Sequence, residues 1–387
     1  MRMPEICARA RGGHRLFYAK SVLKGRCYFR IAGEQGKMDA YRNRYTGDIS
    51  QVFNAKTFRY ETGRARGVLA SQINNGGGLD VTVLADRCMD MAHVLYKGIN
   101  ISYINSCGIT HPAYYEAEGE NWLRGFSAGL LTTCGLTHFG APSVDEGKPY
   151  GLHGRIAYMP AEEYSLKTGM ENGLCVARLE GKMRQSKLFD EHFLLLRRYE
   201  FRQGVNEILL EDEIVNESYT PCEYMQLYHF NFGYPFIDEN AEIFLPTLEV
   251  RPRDEISAPG KDNWMHMEAP ADGVPEVCYF HTMRRDENGA SLAAVYNHKL
   301  NIGMVYYYDA CMLEYFIQWK NANSGEYVLG LEPATNYVLG RAAARRDGSL
   351  KLMEPGGRRL HKFRIKFFDS REEFEKIKGW GGERLFL

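Results

Sequence analysis

The feature that most limits what this 387-residue chain can fold into is the scarcity of helical periodicity beside many short runs rich in β-branched and aromatic residues. Such runs occupy Asp80–Leu84, Phe193–Phe201, Glu207–Val215, Glu223–Phe230, Val277–Met283, Ser291–Tyr296, Ile302–Tyr308, Leu313–Trp319 and Tyr327–Leu331. Turn-forming pairs such as Asn288-Gly289 and Asp347-Gly348 punctuate them. Leu360–Phe368 alternates most cleanly. Phe363, Ile365 and Phe367 face one way and Lys362, Arg364 and Lys366 the other, which predicts a strand with one wet face. One helix is signalled, from the Ser370-x-x-Glu373 capping spacing to Gly379. A short turn or helix is expected around Trp122, within Glu118–Gly135. Many strands and few helices imply an all-β chain built as a large antiparallel sandwich. Its size implies long strands and elaborate loops.

Charge divides the chain in two. Residues 1–37 hold nine basic and two acidic side chains, net +7, whereas the remaining 350 hold 39 basic and 47 acidic, net −8. A chain-wide basic surface for nucleic acid is therefore not expected. Residues 1–37 read as a poorly ordered basic extension, and 38–387 as a single β-sandwich domain. Hydrophobic residues make up 44%, enough to build a large core and to exclude a wholly disordered chain. Nine scattered cysteines without a C-x-x-C pair argue against a disulfide framework or a Cys-rich zinc site, and suit a reducing cytoplasm. No apolar run is long enough to span a membrane.

Three segments place proton-handling residues among Gly, Pro or aromatic neighbours. They are Gly151-Leu152-His153-Gly154-Arg155, Tyr228-His229-Phe230-Asn231-Phe232-Gly233-Tyr234-Pro235, and Leu331-Glu332-Pro333-Ala334-Thr335-Asn336. Alone, each is weak: a His in an aromatic strand is more often a satisfied core residue, and a Glu-Pro dipeptide is more often a turn. Together, a His and a carboxylate can make a general acid–base pair near neutral pH. In this order and spacing the segments resemble the galactose mutarotase-like (aldose 1-epimerase) superfamily, in particular its uncharacterised aldose-epimerase-like branch. The resemblance runs from about Tyr45 to Phe368. It is most specific over Gly76–Asp90, Trp122–Gly135, Gly151–Pro160 and Gly330–Gly340.

That resemblance implies a β-supersandwich with His229 as general acid, Glu332 as general base and His153 as an assisting histidine. It implies no metal and no nucleotide or redox cofactor, and a small carbohydrate substrate as partner, with no nucleic acid and no membrane. Tyr228 stands where the family usually has Asn, which puts galactose itself in doubt. The H-G-R spacing at Arg155 departs from the H-G-x-x-R loops of hexose-6-phosphate mutarotases, so no phosphate site is inferred. Arg87, Arg155, Asn231, Trp319 and Asn336 are the candidates for holding the sugar. Arg87 and Asp90 either line the site or form a structural ion pair under the sheet, with Arg87 read as a site residue and Asp86 as structural, and His111 and His138 are candidates for the pocket rim. The expected start of the reaction has Glu332 ionised and His229 protonated, each charge holding the other. The other readings are an isomerase or epimerase acting at another carbon, and a non-catalytic sugar-binding protein. The oligomeric state is left open.

Overall fold

A computed structural model describes residues 45–385; the basic segment 1–37 lies outside the described residues. The strands, in chain order, begin with Asn54–Arg59 (β1), Leu69–Asn74 (β2), Leu79–Leu84 (β3), Asp90–Tyr96 (β4), Ile99–Asn100 (β5) and Leu131–Leu136 (β6). Ser143–Asp145 (β7), Lys148–Tyr150 (β8), Ala161–Glu171 (β9), Leu174–Ser186 (β10), His192–Arg202 (β11) and Glu207–Asn216 (β12) follow. Next come Cys222–Phe232 (β13), Ala241–Phe244 (β14), Thr247–Pro252 (β15), Val277–Met283 (β16), Ala290–Asn297 (β17) and Ile302–Asp309 (β18). Tyr315–Asn321 (β19), Val328–Ala334 (β20), Lys351–Met353 (β21) and Arg358–Phe368 (β22) complete them. Two short helices, Arg341–Arg346 (α1) and Arg371–Lys378 (α2), lie near the C-terminus.

The strands form three main sheets. One is a meander, β1-β2-β3-β4-β5. The second has eight strands in the order β14-β17-β18-β22-β12-β11-β10-β9. The third runs β15-β16-β19-β20-β13-β21, with β6 also paired to β13. Every pairing between named strands is antiparallel, as the sandwich reading requires.

The third sheet is buried on both faces, and that positions the site. One face contributes Tyr228, Phe230, Leu329 and Leu331 to the main core, where they meet Phe363 and Ile365 of β22. The opposite face contributes Leu227, Cys278, Ile317 and Ala334 to a second core, covered by Trp122, Phe126 and Tyr158. Neighbours along a strand point to opposite faces, so Tyr228 enters the main core and His229 the second layer.

A buried polar cluster ties the layers together. Arg197 (β11) grips Asp212 (β12) through two bonds of 2.8 and 2.6 Å, and reaches Asp90 (β4) at 2.7 Å and Thr133 (β6) at 2.8 Å. Tyr228 donates its hydroxyl to the same Asp212 at 2.7 Å and lies 3.0 Å from His361 Nδ1. Burial pushes the Asp90 carboxyl up to about 6, against the pull of Arg197 and Thr133. The ionic partner of Asp90 is thus Arg197, not its sequence neighbour Arg87.

The predicted β22 is present, with Phe363, Ile365 and Phe367 buried and Lys362 exposed. Ser370 caps α2 by accepting from the Glu373 N–H at 3.2 Å. The Glu373 carboxylate pairs with Lys366 instead of returning to the cap. Glu332-Pro333, which alone reads as a turn, lies inside β20. The β13–β20 ladder accommodates it by a gap: Leu227 pairs with Ala334, and pairing resumes at Phe230–Leu331. Proline has no N–H to give to a ladder, so the interruption falls beside His229 and Glu332. Strands β9 and β10 were not legible as runs. The inward face of β10 is Cys175, Ala177, Leu179, Gly181 and Met183, too small and mixed to stand out.

Candidate active site

The second layer leaves a cavity of about 360 Å³ over the third sheet, within the usual range for small-molecule sites. Its floor is made by His229 (β13), Trp319 (β19) and Glu332 (β20). One wall is the single-turn 3-10 segment Asn121–Gly125 with Phe126, which brings Trp122 and Phe126 over the floor. His153 comes from the loop after β8 and completes the lining beside His229.

His229 Nε2 lies 3.3 Å from Glu332 Oε1, and both residues are almost wholly buried, at 5% and 2% exposure. The His153 ring stands edge-on to His229 with centroids 5.5 Å apart. Trp122 packs on His153 at 4.9 Å, and Trp319 meets His229 edge-on at 5.4 Å. Four buried polar atoms around this space lack a hydrogen-bond partner: Trp122 Nε1, His153 Nδ1, His229 Nδ1 and Glu332 Oε1.

Two glycines make this arrangement possible. A Cβ on Gly330 would lie 2.4 Å from Glu332 Oε1, so the carboxylate rests in space that only glycine leaves open. His153 and Gly154 both have positive φ, 55° and 75°, and a Cβ on Gly154 would meet the carbonyl oxygens of His138 and Gly135 at 2.4 and 2.5 Å. The His-Gly dipeptide thus turns the loop sharply and aims His153 into the cavity.

Burial holds the Glu332 carboxyl well above its ordinary range; Glu276 raises it further and Arg253 opposes. Burial holds His229 well below the usual imidazole range, with His153 adding to the effect. His153 itself is pushed down to about 4 by burial. The expected charged pair is therefore corrected. Burial of both partners works against the charged pair and favours a protonated Glu332 beside a neutral His229. The neutral pair and the ion pair contain the same number of protons and differ only in which partner holds one.

The remaining expected sugar ligands divide by position. Trp319 lines the cavity, and its indole N–H donates to Glu276 at 2.7 Å. Arg87 does not reach it. Its guanidinium is buried and spent on the carbonyls of Ala157, Thr110 and Gly125 and the hydroxyls of Thr110 and Ser127, which anchors the wall segment instead. Asn231 is fully buried and donates to the His229 carbonyl at 2.8 Å. Asn336 is fully buried and donates to Ser349. Both are corrected to positions outside the cavity, because each buried amide, Asn231 on β13 and Asn336 just after β20, is held by a partner in the protein itself. Arg155 and His138 line a separate cavity of about 560 Å³, and the Arg155 guanidinium lies over the Tyr115 ring. His111 caps a short 3-10 turn by accepting from the Ala113 N–H.

Sequence reading missed Arg253 and Glu276 at the mouth. They pair at 3.0 Å and lie beyond any motif, brought there by the β15–β16 pairing. Among the described residues no group of His, Cys, Asp or Glu has the arrangement of a metal site. No helix among them is long and apolar enough to cross a membrane.

This architecture, with its cavity on the second face of a large antiparallel sheet, is a galactose mutarotase-like fold. A Klebsiella pneumoniae protein described as a "putative aldose 1-epimerase" superimposes with a TM-score of 0.79 at 23% identity, over 84% of this chain and 86% of that one. A galactose mutarotase-like protein from Clostridium acetobutylicum gives 0.57 at 13% identity, over 83% and 100%. Galactose 1-epimerase from Lactobacillus acidophilus gives 0.52 at 14% identity, over 82% and 100%. At these identities the likeness is one of fold. The chain belongs to the family described as domain of unknown function DUF4432, whose model matches residues 65–367. No curated protein sequence matches it.

Proposed function

We propose that the protein is a sugar mutarotase of the aldose 1-epimerase type, interconverting anomers by acid–base catalysis through Glu332 and His229. The observation that carries this reading is the 3.3 Å approach of Glu332 Oε1 and His229 Nε2 on the cavity floor. Ring opening removes the proton of the anomeric hydroxyl and adds one to the ring oxygen. Both oxygens sit on the same carbon, so the acid and the base must stand side by side. With the shared proton moved from Glu332 to His229 as the sugar binds, Glu332 takes the hydroxyl proton while His229 delivers its own to the ring oxygen. The C1–O5 bond breaks, the open aldehyde rotates about C1–C2, and the ring closes on the other face with roles reversed. Neither step changes the net charge of the site, which suits a buried pair. His153 stands beside His229 and lines the same cavity, where its imidazole can meet a sugar hydroxyl.

Saturation-transfer NMR or polarimetry on a panel of free aldoses tests the proposal. Acceleration of anomer exchange that disappears in Glu332→Gln is the expected result. If no aldose exchanges faster with the wild type than with that variant, the mutarotase reading is wrong. The same incubation in D₂O reads the chemistry, because anomerisation leaves every carbon-bound hydrogen in place whereas enolisation exchanges one.

A further inference from the structure

We infer that the cavity takes a neutral, deoxygenated sugar, an aldose in which at least one carbon carries hydrogen where a common hexose carries hydroxyl, and that it rejects phosphorylated and acidic sugars. This rests on the mutarotase reading and narrows its substrate class.

The lining is unusual for a polyhydroxylated ligand. No Ser, Thr, Asn, Gln or Lys contributes to it. Leu123, Ala141, Pro142, Leu152, Ile317 and Val338 supply much of the wall, and none can accept or donate through its side chain. The polar partners are few and localised. Glu332 and His229 lie on the floor with His153 beside them, Trp122 is in the wall, and Glu120, Glu276 and Arg253 are the other charged side chains of the lining. A hexose ring brings a hydroxyl on nearly every carbon. After the anomeric oxygen and the ring oxygen have used the floor, the remaining partners cannot meet all the others. A hydroxyl pressed against Leu152 and Val338 would lose its water and gain no partner. A methyl or methylene at that place is matched by the wall.

Charge gives the second half of the inference independently. Besides Glu332, which burial favours in its neutral form, the lining carries two carboxylates, Glu120 and Glu276, against one guanidinium, Arg253. That guanidinium is already engaged, donating to Asp254 at 2.7 Å and to Glu276 at 3.0 Å. Glu276 is fixed further by the Trp319 indole. The one cation lining this cavity has its charge offset by two adjacent carboxylates, Asp254 and Glu276, which leaves no net positive charge to draw in a phosphate or a sugar carboxylate. Arg155, the basic residue nearest His153 in sequence, faces the other cavity.

The test compares matched pairs by saturation-transfer NMR: 6-deoxygalactose with galactose, 6-deoxymannose with mannose, and 2-deoxyglucose with glucose. Galactose 6-phosphate and galacturonate serve as anionic probes. In at least one pair the deoxy sugar should exceed its parent in kcat/KM by about tenfold to a hundredfold, the range that a single group in an apolar pocket supplies. The anionic sugars should show no acceleration. Leu152→Gln, which puts an amide in the apolar wall, should bring the favoured pair's ratio towards unity. Parent hexoses or anionic sugars turned over as fast as the deoxy sugars would overturn the inference and leave the mutarotase reading standing. An unchanged ratio in Leu152→Gln would overturn it as well. If no sugar of any kind shows Glu332-dependent exchange, the reading beneath it falls instead.

Discussion

Gly330→Ala is the sharpest probe of the floor geometry. Gly330 lies two residues before Glu332 on the same face of β20, opposite Trp319 on β19. It does not use the left-handed backbone region, so alanine fits its conformation. The added Cβ would sit 2.4 Å from Glu332 Oε1 and 3.2 Å from Trp319 Cβ. Ordinary contact begins at 3.4 Å, and β20 is held by partners on both edges. The carboxylate must therefore be the part that retreats, by about 1 Å, and a displacement of that size at reacting atoms costs about 10²-fold in rate. That factor corresponds to about 2.7 kcal/mol of transition-state stabilisation. The fold loses less, since pushing Glu332 off its rotamer costs about 0.5–1.5 kcal/mol. The assay is anomer exchange by saturation-transfer NMR beside urea unfolding. Gly169→Ala on β9, where a Cβ meets nothing within 4 Å, serves as the control. It should keep full activity and gain about 0.5–1 kcal/mol of stability. A Gly330→Ala enzyme with the wild-type rate would refute the placement of the Glu332 carboxylate at the reacting atoms.

Three further outcomes follow from the same structure. Glu332→Gln should lose about 10²–10⁴-fold in rate. Its thermal midpoint at neutral pH should equal or exceed that of the wild type, because a neutral amide replaces a carboxyl that burial already keeps protonated; a large drop in the midpoint would contradict that protonation state. The working pair holds one proton, which is lost only above the raised value of Glu332 and joined by a second only below the lowered value of His229. Hence kcat/KM should stay flat as pH falls from 7 through 6.5, where an ordinary imidazole titrates, and an acid limb centred near 6.5 would count against it. Arg197→Met leaves Asp90 and Asp212 buried without their cation, and should cost about 3–5 kcal/mol in urea unfolding; a loss under about 1 kcal/mol would show that the cluster is not a structural tie.

The local chemistry of the strands was legible because it is written in neighbouring residues. The alternation of Phe363, Ile365 and Phe367 with lysines and arginine fixed which face of β22 is buried, and Ser370 marked the start of α2. Strands buried on both faces gave no such alternation. β13 and β20 read as runs of apolar and aromatic residues with a His or a Glu set among them. Nothing local distinguishes His229, which faces the cavity, from His361, which is buried in the main core beside Tyr228.

The sequence by itself determined that the chain would be a large antiparallel β structure, and it singled out His153, His229 and Glu332. Strand propensity, turn residues and Gly or Pro neighbours are properties of a few adjacent residues. Only the tertiary structure decided that these three converge, that Arg87, Asn231 and Asn336 turn to backbone carbonyls and side-chain oxygens, and that Arg253 and Glu276 close the mouth. Burial in that structure also pushes the Glu332 carboxyl up and the His229 imidazole down, against the charged pair. Convergence depends on which strands become neighbours across a hundred residues of chain, and protonation depends on how much water the second layer excludes. Neither quantity exists until the sheets have packed.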